Sequence, residues 1–452
     1  MAERQSKQRR SRKAVELTIE SIGARGDGIG RVDGRTVYVP LTVPGERVRV
    51  ELERPRGDGT AGRVVEVLAA GAGRRPAPCP QFGECGGCAL QHLEDQHYAA
   101  WKQQLVRTAL ARRGFVDSPL RPLLRIAPGT RRRANLTAER AGRSVRLGFH
   151  GRESHRVIDA AGCLVVTAAL SALLPPLRAA LLRMLGDGER IEVTAAATDS
   201  GVDLLLEGKR PLTLESREAL GALAADADLA RITWRADRSP PEPIAIRRPA
   251  RIAFAGVTVD LPPGAFLQPT AAGEAALVAA VTLALTGCRD VADLYAGCGT
   301  FTFPLAHGAR VHAVEGDAEA IGALSDAARR AARGQSITTE HRDLASDPLT
   351  EKELERFAGV VFDPPRAGAK AQAERLARSA VSKVVAVSCD PATFARDARI
   401  LVDGGYRLLE ATPIDQFIWS PHLEVVALFV HQTAVVSCQA SGGGKRDAAY
   451  SI

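Results

Sequence analysis

The last third of the chain is punctuated in a way few folds satisfy. Short strand-patterned runs fall at about 290–295, 310–315, 337–341, 359–363, 383–388, 406–412 and 423–431, and helix-patterned segments separate most of them. Parallel strands need such crossovers, so this spacing predicts a doubly wound α/β sheet covered by helices. In open sheets of that kind, ligands meet the carboxyl ends of the strands. Ser388-Cys389-Asp390-Pro391 ends the 383–388 run and puts a thiol on a strand-to-helix turn. Backbone N–H groups at a helix start lower a thiol pKa, which makes Cys389 a candidate nucleophile. An inert buried cysteine is the competing reading.

A chain of 452 residues is too long for one ordinary core, so two or three domains are expected. Aromatic residues are only 4%, and packing must rely on Leu, Val and Ala. No apolar run approaches the roughly 18 residues of a membrane span, and the amino terminus lacks an apolar leader segment. These features predict a soluble, cytoplasmic protein with no membrane partner. Eight cysteines in that setting point to metal or catalytic roles rather than to disulfides. The net charge is +8, and residues 1–13 carry Arg4, Lys7, Arg9, Arg10, Arg12 and Lys13 against Glu3. This stretch is read as a disordered basic tail of the sort that holds phosphate non-specifically. Residues 433–452 are read as a second disordered tail.

Residues 14–70 read as a small barrel. Val15–Ile19, Thr36–Pro40, Arg47–Leu52 and Gly62–Leu68 are strand-like, and glycine turns separate them. Arg25, Arg31 and Arg35 among those glycines favour nucleic acid. The stretch GDGIGRVDGRTVYVPLTVPGERV resembles a TRAM domain, an RNA-binding module with an OB-like barrel.

A linker ending at Pro76 opens a central α+β domain over 76–262. It begins with Cys79, Cys85 and Cys88, spaced C-x5-C-x2-C among glycines, which is a metal-site signal. Zinc is the main rival reading, but no second C-x2-C pair exists. Cys163 is the later candidate, and four thiolates with uneven spacing suit a [4Fe–4S] cluster. YAAWKQQLVRTALARR (98–113) is helix-patterned and basic at its end. Arg131, Arg132 and Arg133 form an arginine cluster able to read phosphates or bases. Ser239–Pro243 reads as a loop.

The final domain, 263–432, opens with Phe266-Leu267-Gln268. Gly297 and Gly299 after its first strand allow a ligand close to backbone at a helix start, and Glu315 ends the second strand as a ribose-binding acid would. A missing third glycine argues against a dinucleotide. DLYAGCGTF with the following acidic strand end resembles the S-adenosylmethionine site of class I methyltransferases, which implies that Asp343 contacts the adenine end. Asp363-Pro364-Pro365-Arg366 ends the fourth strand, and a carboxylate there can accept from the imide N–H of uracil. Glu424 opens the last strand beside His422 as a candidate base.

CPQFGECGGC, FLQ, DLYAGCGTF, DPPRAG, VSCDPATFARD and HLE occur in the order found in the RNA 5-methyluridine methyltransferases. The chain resembles that family over about 14–431, and the TRAM barrel with an iron–sulfur motif is similar to its 23S rRNA branch. The resemblance implies methylation of uracil C5 in RNA, with Cys389 as nucleophile and Glu424 as base. It implies a methyl-donor site of Gln268, Tyr295, Gly297, Gly299, Thr300, Glu315, Asp343 and Asp363. Arg131, Arg133, Gln268 and Asp363 would meet the target RNA, and Cys79, Cys85, Cys88 and Cys163 would hold the cluster. Two departures stand out: Phe417-Ile418-Trp419-Ser420 replaces the family's Phe-Pro-x-Thr at what is read as the pocket wall, and Thr270 replaces an Asn. tRNA uridine or cytosine C5 are the alternative targets. A non-catalytic RNA-binding iron–sulfur protein is the alternative of another class. Nothing in the sequence calls for an obligate protein partner.

Overall fold

The computed structural model describes residues 14–331 and 336–432; the two tails read at 1–13 and 433–452 lie outside the described residues. The amino-terminal part is a closed five-stranded barrel. Its strands Ala14–Ile22, Gly28–Val32, Arg35–Val39, Gly59–Ala69 and Arg47–Arg56 follow one another around it in that order. Alternation along these strands turns Leu17, Ile19, Val37, Val39, Val48 and Val50 inward to a small core. Gly30 is required there, because a Cβ would stand 2.5 Å from Leu17 Cδ1 and 2.6 Å from the Thr18 carbonyl.

A seven-stranded sheet forms the centre. Its order is Glu242–Ile246, Arg231–Ala236, Gly201–Gly208, Arg190–Thr198, Arg133–Ala141, Ser144–His150, Val157–Asp159. Helices Ala168–Met184 and Leu214–Asp226 cover the face that carries Leu136, Ala138, Val193, Leu204 and Leu206. The Pro-rich segment expected as a loop enters this sheet. Glu242 and Pro243 begin its edge strand, where a proline costs no ladder bond.

The carboxy-terminal sheet has eight strands in the order Ile337–His341, Arg310–Glu315, Asp290–Leu294, Gly359–Phe362, Lys383–Ser388, Glu424–His431, Tyr406–Asp415, Leu124–Arg125. The first five run parallel; Glu424–His431 is antiparallel to both neighbours. Alternate residues of each strand enter opposite cores. Val291, Val311, Val361 and Val385 face helices Ala271–Ala284 and Ala318–Arg330, while Ala292, Val360, Val384 and Phe429 face helix Pro391–Asp403. Strand order reverses between Asp290–Leu294 and Gly359–Phe362, so a crevice opens at their carboxyl ends.

Residues read with the central domain also attach to this sheet. Leu124–Arg125 adds its last strand, and helix Asp95–Ala111 lays Val106 and Leu110 on the core beside helix Pro391–Asp403. Further along that helix, Tyr98 and Trp101 pack with Val43 of the barrel and with Leu90 and Leu93 after the cysteines. Helix Asp95–Ala111 thus rivets barrel, cysteine segment and sheet together. Among the described residues no helix is long and apolar enough to cross a membrane.

Candidate active site

The crevice is built from strand ends. After Asp290–Leu294 the chain turns through Tyr295 (φ 62°), Gly297 (φ 55°) and Gly299 (φ 102°). A Cβ on Gly299 would lie 2.5 Å from the Phe303 ring, so only glycine fits this approach of loop to helix. Glu315 fastens the loop from the next strand, accepting from Gly297 N–H at 2.9 Å and Asp317 N–H at 2.8 Å. Tyr295, Gly297, Thr300 and Glu315 are half-buried along this rim. Asp343, also a predicted donor contact, is exposed beyond the third strand, where Ser346 Oγ donates to it at 2.8 Å. Sequence reasoning assigned no role to Asp293. It is fully buried, takes a 2.5 Å bond from Thr302 Oγ1, and burial pushes its carboxyl up to about 7.

Across the crevice a polar chain crosses three elements. Gln268 Nε2 donates to Asp363 Oδ2 at 3.0 Å; Gln416 Nε2 donates to Gln268 Oε1 at 2.8 Å and to Glu424 Oε1 at 3.3 Å. Gln268 reaches this position because Arg132 turns inward between Arg131 and Arg133. Its guanidinium donates to the Gln268 carbonyl at 3.1 Å and to Glu274 Oε2 at 2.5 Å. Gln416 and Arg132 carry no sequence signal beyond their neighbours; the alternation of the arginine run was the available hint.

Glu424 is buried, and its Oε2 has no hydrogen-bond partner. Burial and the facing Asp363 hold its carboxyl well above the usual carboxylate range, and burial does the same to Asp363. Cys389 is half-buried at the end of its strand. Burial, then Glu424 and Asp363, push its thiol up to about 12, while Arg366 pulls it down. Arg366 Nη2 lies 3.1 Å from His422 Nε2. The crevice therefore gathers a thiol, two carboxyls and a guanidinium beside a glycine loop.

The TRAM-domain family model matches residues 8–68, and the tRNA (uracil-5-)-methyltransferase family model matches residues 334–432. An uncharacterized RNA methyltransferase of Brucella suis is 42% identical over 420 residues, covering 92% of this chain and 98% of that protein. The 23S rRNA (uracil(1939)-C(5))-methyltransferase RlmD of Halomonas elongata is 36% identical over 437 residues, covering 92% and 89%. The chain belongs to the RNA uracil-5 methyltransferase family. The crystal structure of Pyrococcus abyssi tRNA (uracil-54, C5)-methyltransferase with S-adenosyl-L-homocysteine shares its fold: the TM-score is 0.71 at 22% identity, over 92% of this chain and all 100% of that one. This RNA (uracil-5-)-methyltransferase thus carries a TRAM barrel.

Two features flank the methyltransferase crevice. Arg131 and Arg133, both half-buried, each lie 5.4 Å from an aromatic ring centre, of Phe417 and of the exposed Phe266 respectively. Cys79, Cys85, Cys88 and Cys163 lie near one another: burial first, and then the charges of the other three, push the Cys88 thiol up to about 12. Gly87 N–H points at Cys85 Sγ at 3.4 Å. Among the described residues no three His, Cys, Asp or Glu side chains stand close enough to hold a single metal ion. Ile418 and Trp419, expected at the pocket wall, are buried instead against Ala89, Leu90, Tyr98 and Trp101. The Trp419 carbonyl accepts from Ala89 N–H (2.7 Å) and Leu90 N–H (3.1 Å). The departure from Phe-Pro-x-Thr therefore shapes the seat of the cysteine segment.

Proposed function

We propose that the enzyme methylates C5 of a uridine in 23S rRNA through a covalent bond from Cys389 to C6. The observation that carries this reading is the meeting of Cys389, Asp363 and Glu424 at adjacent strand ends, within one electrostatic environment. Uracil C5 is a poor nucleophile. Addition of the Cys389 sulfur to C6 moves the ring's electron pair toward C5, which can then take an electrophilic carbon. S-adenosylmethionine, when bound, supplies that carbon as a sulfonium methyl group. Glu424 then removes the C5 proton, and the C6–S bond breaks as the double bond re-forms. Gln268, held by Arg132 and Gln416, orients the uracil edge together with Asp363. A carboxamide supplies both donor and acceptor to that edge. The Gly297–Gly299 loop, Tyr295, Thr300, Glu315 and Asp343 hold the donor. The base must be flipped or single-stranded to reach the sulfur, and Arg131 and Arg133 meet the flanking RNA.

The rRNA assignment is supported by the RlmD relative over nearly the full length and by the barrel. We assign Cys79, Cys85, Cys88 and Cys163 to a [4Fe–4S] cluster. The C-x5-C-x2-C spacing of the first three, with Cys163 as the fourth thiol, supports the assignment, and the Gly87 N–H to Cys85 Sγ contact is the kind that stabilises cluster thiolates. Tritium release from [5-³H]uridine-labelled rRNA and tRNA tests the reading. Release from 23S rRNA that vanishes in Cys389→Ala is expected; release from tRNA alone would move the substrate, and full activity in Cys389→Ala would refute the mechanism.

A further inference from the structure

The reaction needs two anions in one half-buried crevice: the thiolate of Cys389 and the carboxylate of Glu424. The helix start after Cys389 does not supply the balancing charge. Asp390 caps helix Pro391–Asp403 with its own carboxylate, accepting from Ala392 N–H at 2.8 Å and Thr393 N–H at 3.1 Å. Those donors are spent on Asp390. The charged groups facing Cys389 are Glu424 and Asp363, which oppose its ionisation, and Arg366, which favours it. Arg366 favours the ionised form of Glu424 as well.

Arg366 is placed for this by the sheet. Its turn leaves strand Gly359–Phe362, which pairs in parallel with Lys383–Ser388 (Phe362 opposite Ala386), so the Arg366 and Cys389 turns emerge side by side. Its guanidinium has no acceptor of its own, so at 3.1 Å His422 Nε2 must present a lone pair. His422 is held neutral, pushed down to about 4 by burial and by Arg366, Lys102 and Arg131, with Asp390 opposing. Its backbone is pinned too: Lys102 Nζ donates to the His422 carbonyl, and His422 N–H donates to Ser420 Oγ at 3.3 Å.

We propose that Arg366 is the counter-ion of the Cys389 thiolate and that His422 is the residue that positions it. The proposal rests on the reading of Cys389 as nucleophile, but its test does not need turnover. Purified protein is alkylated with iodoacetamide between pH 6 and 10, and the peptide bearing Cys389 is quantified by mass spectrometry; the peptide bearing buried Cys298 reports any loss of fold. Arg366→Gln should slow alkylation of Cys389 at pH 8 about tenfold, the factor for one pKa unit. Arg366→Lys should restore most of the rate, and His422→Ala should lie between. An unchanged or faster rate in Arg366→Gln, with Cys298 still protected, overturns the proposal. Should that variant unfold, His422→Ala decides alone: a slower rate supports the pairing and an unchanged one overturns it. Tritium release retained in Cys389→Ala would defeat the nucleophile reading while leaving the charge pairing intact.

Discussion

The ammonium of Lys102 lies 2.8 Å from Asp415 Oδ1, and both side chains are fully buried. Tyr98 Oη donates to the other oxygen of Asp415 at 2.7 Å and accepts from Trp419 N–H at 2.8 Å. Helix Asp95–Ala111 therefore grips the loop between the last two strands at Asp415, Trp419 and His422, and that loop carries Gln416 to Glu424.

A buried ion pair is costly to break from one side, because the survivor keeps an uncompensated charge out of water. Lys102→Met should destabilise the protein by about 3–5 kcal/mol, read from the urea midpoint. Lys102→Met with Asp415→Leu should recover most of that loss. A single substitution within about 1 kcal/mol of wild type would mean that the pair is hydrated.

Glu424→Gln keeps the shape of the side chain and removes the carboxylate that the proposed mechanism uses as base. Methyl transfer should still occur once, and proton removal should not. The variant is therefore expected to accumulate protein covalently joined to RNA, seen as a slow band on a denaturing gel, with turnover reduced by at least about a hundredfold. Normal turnover without the band would transfer the role of base elsewhere.

The pH dependence of stability follows from the same residue. Folding raises the Glu424 carboxyl from 4.5 to about 8, so between those values the folded state binds more protons than the unfolded one. The sign is then fixed: Glu424 contributes stability below pH 4.5 that is lost progressively as pH rises to about 8. Glu424→Gln should flatten this slope and be the more stable protein at pH 8.5, measured by thermal unfolding across pH. A steeper slope in the variant would contradict the burial argument.

Sequence periodicity located the central strands because both sheet faces are buried there: each run had to be apolar throughout, and its end had to be polar or glycine, whereas the edge strand Ile337–His341 carries one apolar residue and was marked by its β-branched threonines. That logic places Gly297, Glu315, Asp363, Cys389 and Glu424 on one edge, which is why their meeting was legible. What escaped was contributed by packing across domains. Gln416 is an unremarkable loop glutamine until Gln268 arrives from 148 residues away. Lys102 left a faint trace, since it shares the buried stripe of Tyr98, Val106 and Leu110 at four-residue spacing. A lysine on an apolar stripe asks for a buried acid, but the sequence could not say that the acid is Asp415. The same limit explains why Ile418 and Trp419 were misplaced: their partners come from the barrel side.

Phe266 is an exposed aromatic beside the crevice, and Arg133 lies over its ring. Such a pair offers a stacking surface to an unpaired base. Phe266→Ala should weaken RNA binding by about 1–3 kcal/mol in a filter or anisotropy assay while leaving binding of S-adenosylhomocysteine unchanged. Equal loss of both would mean that the residue supports the fold of the crevice.

The cysteine segment is tied to the catalytic loop by its own backbone. Cys88 is followed directly by Ala89 and Leu90, whose N–H groups hold the Trp419 carbonyl, and Trp419 is itself in the left-handed region at φ 59°. A bulky residue keeps that conformation only while its surroundings enforce it. Anaerobically purified protein should contain about four irons and four sulfides per chain and absorb near 400 nm. Cys88→Ser and Cys163→Ser should lose both, whereas Cys298→Ser, in the loop between Gly297 and Gly299, should keep them. If the segment braces the loop, loss of the cluster should raise KM for RNA more than it lowers kcat, because the Cys389 and Glu424 strand ends are held independently by the sheet. Zinc in place of iron, at one ion per chain, would reassign the metal; no metal at all would leave Cys163 and Cys88 as packing at the edges of their two cores.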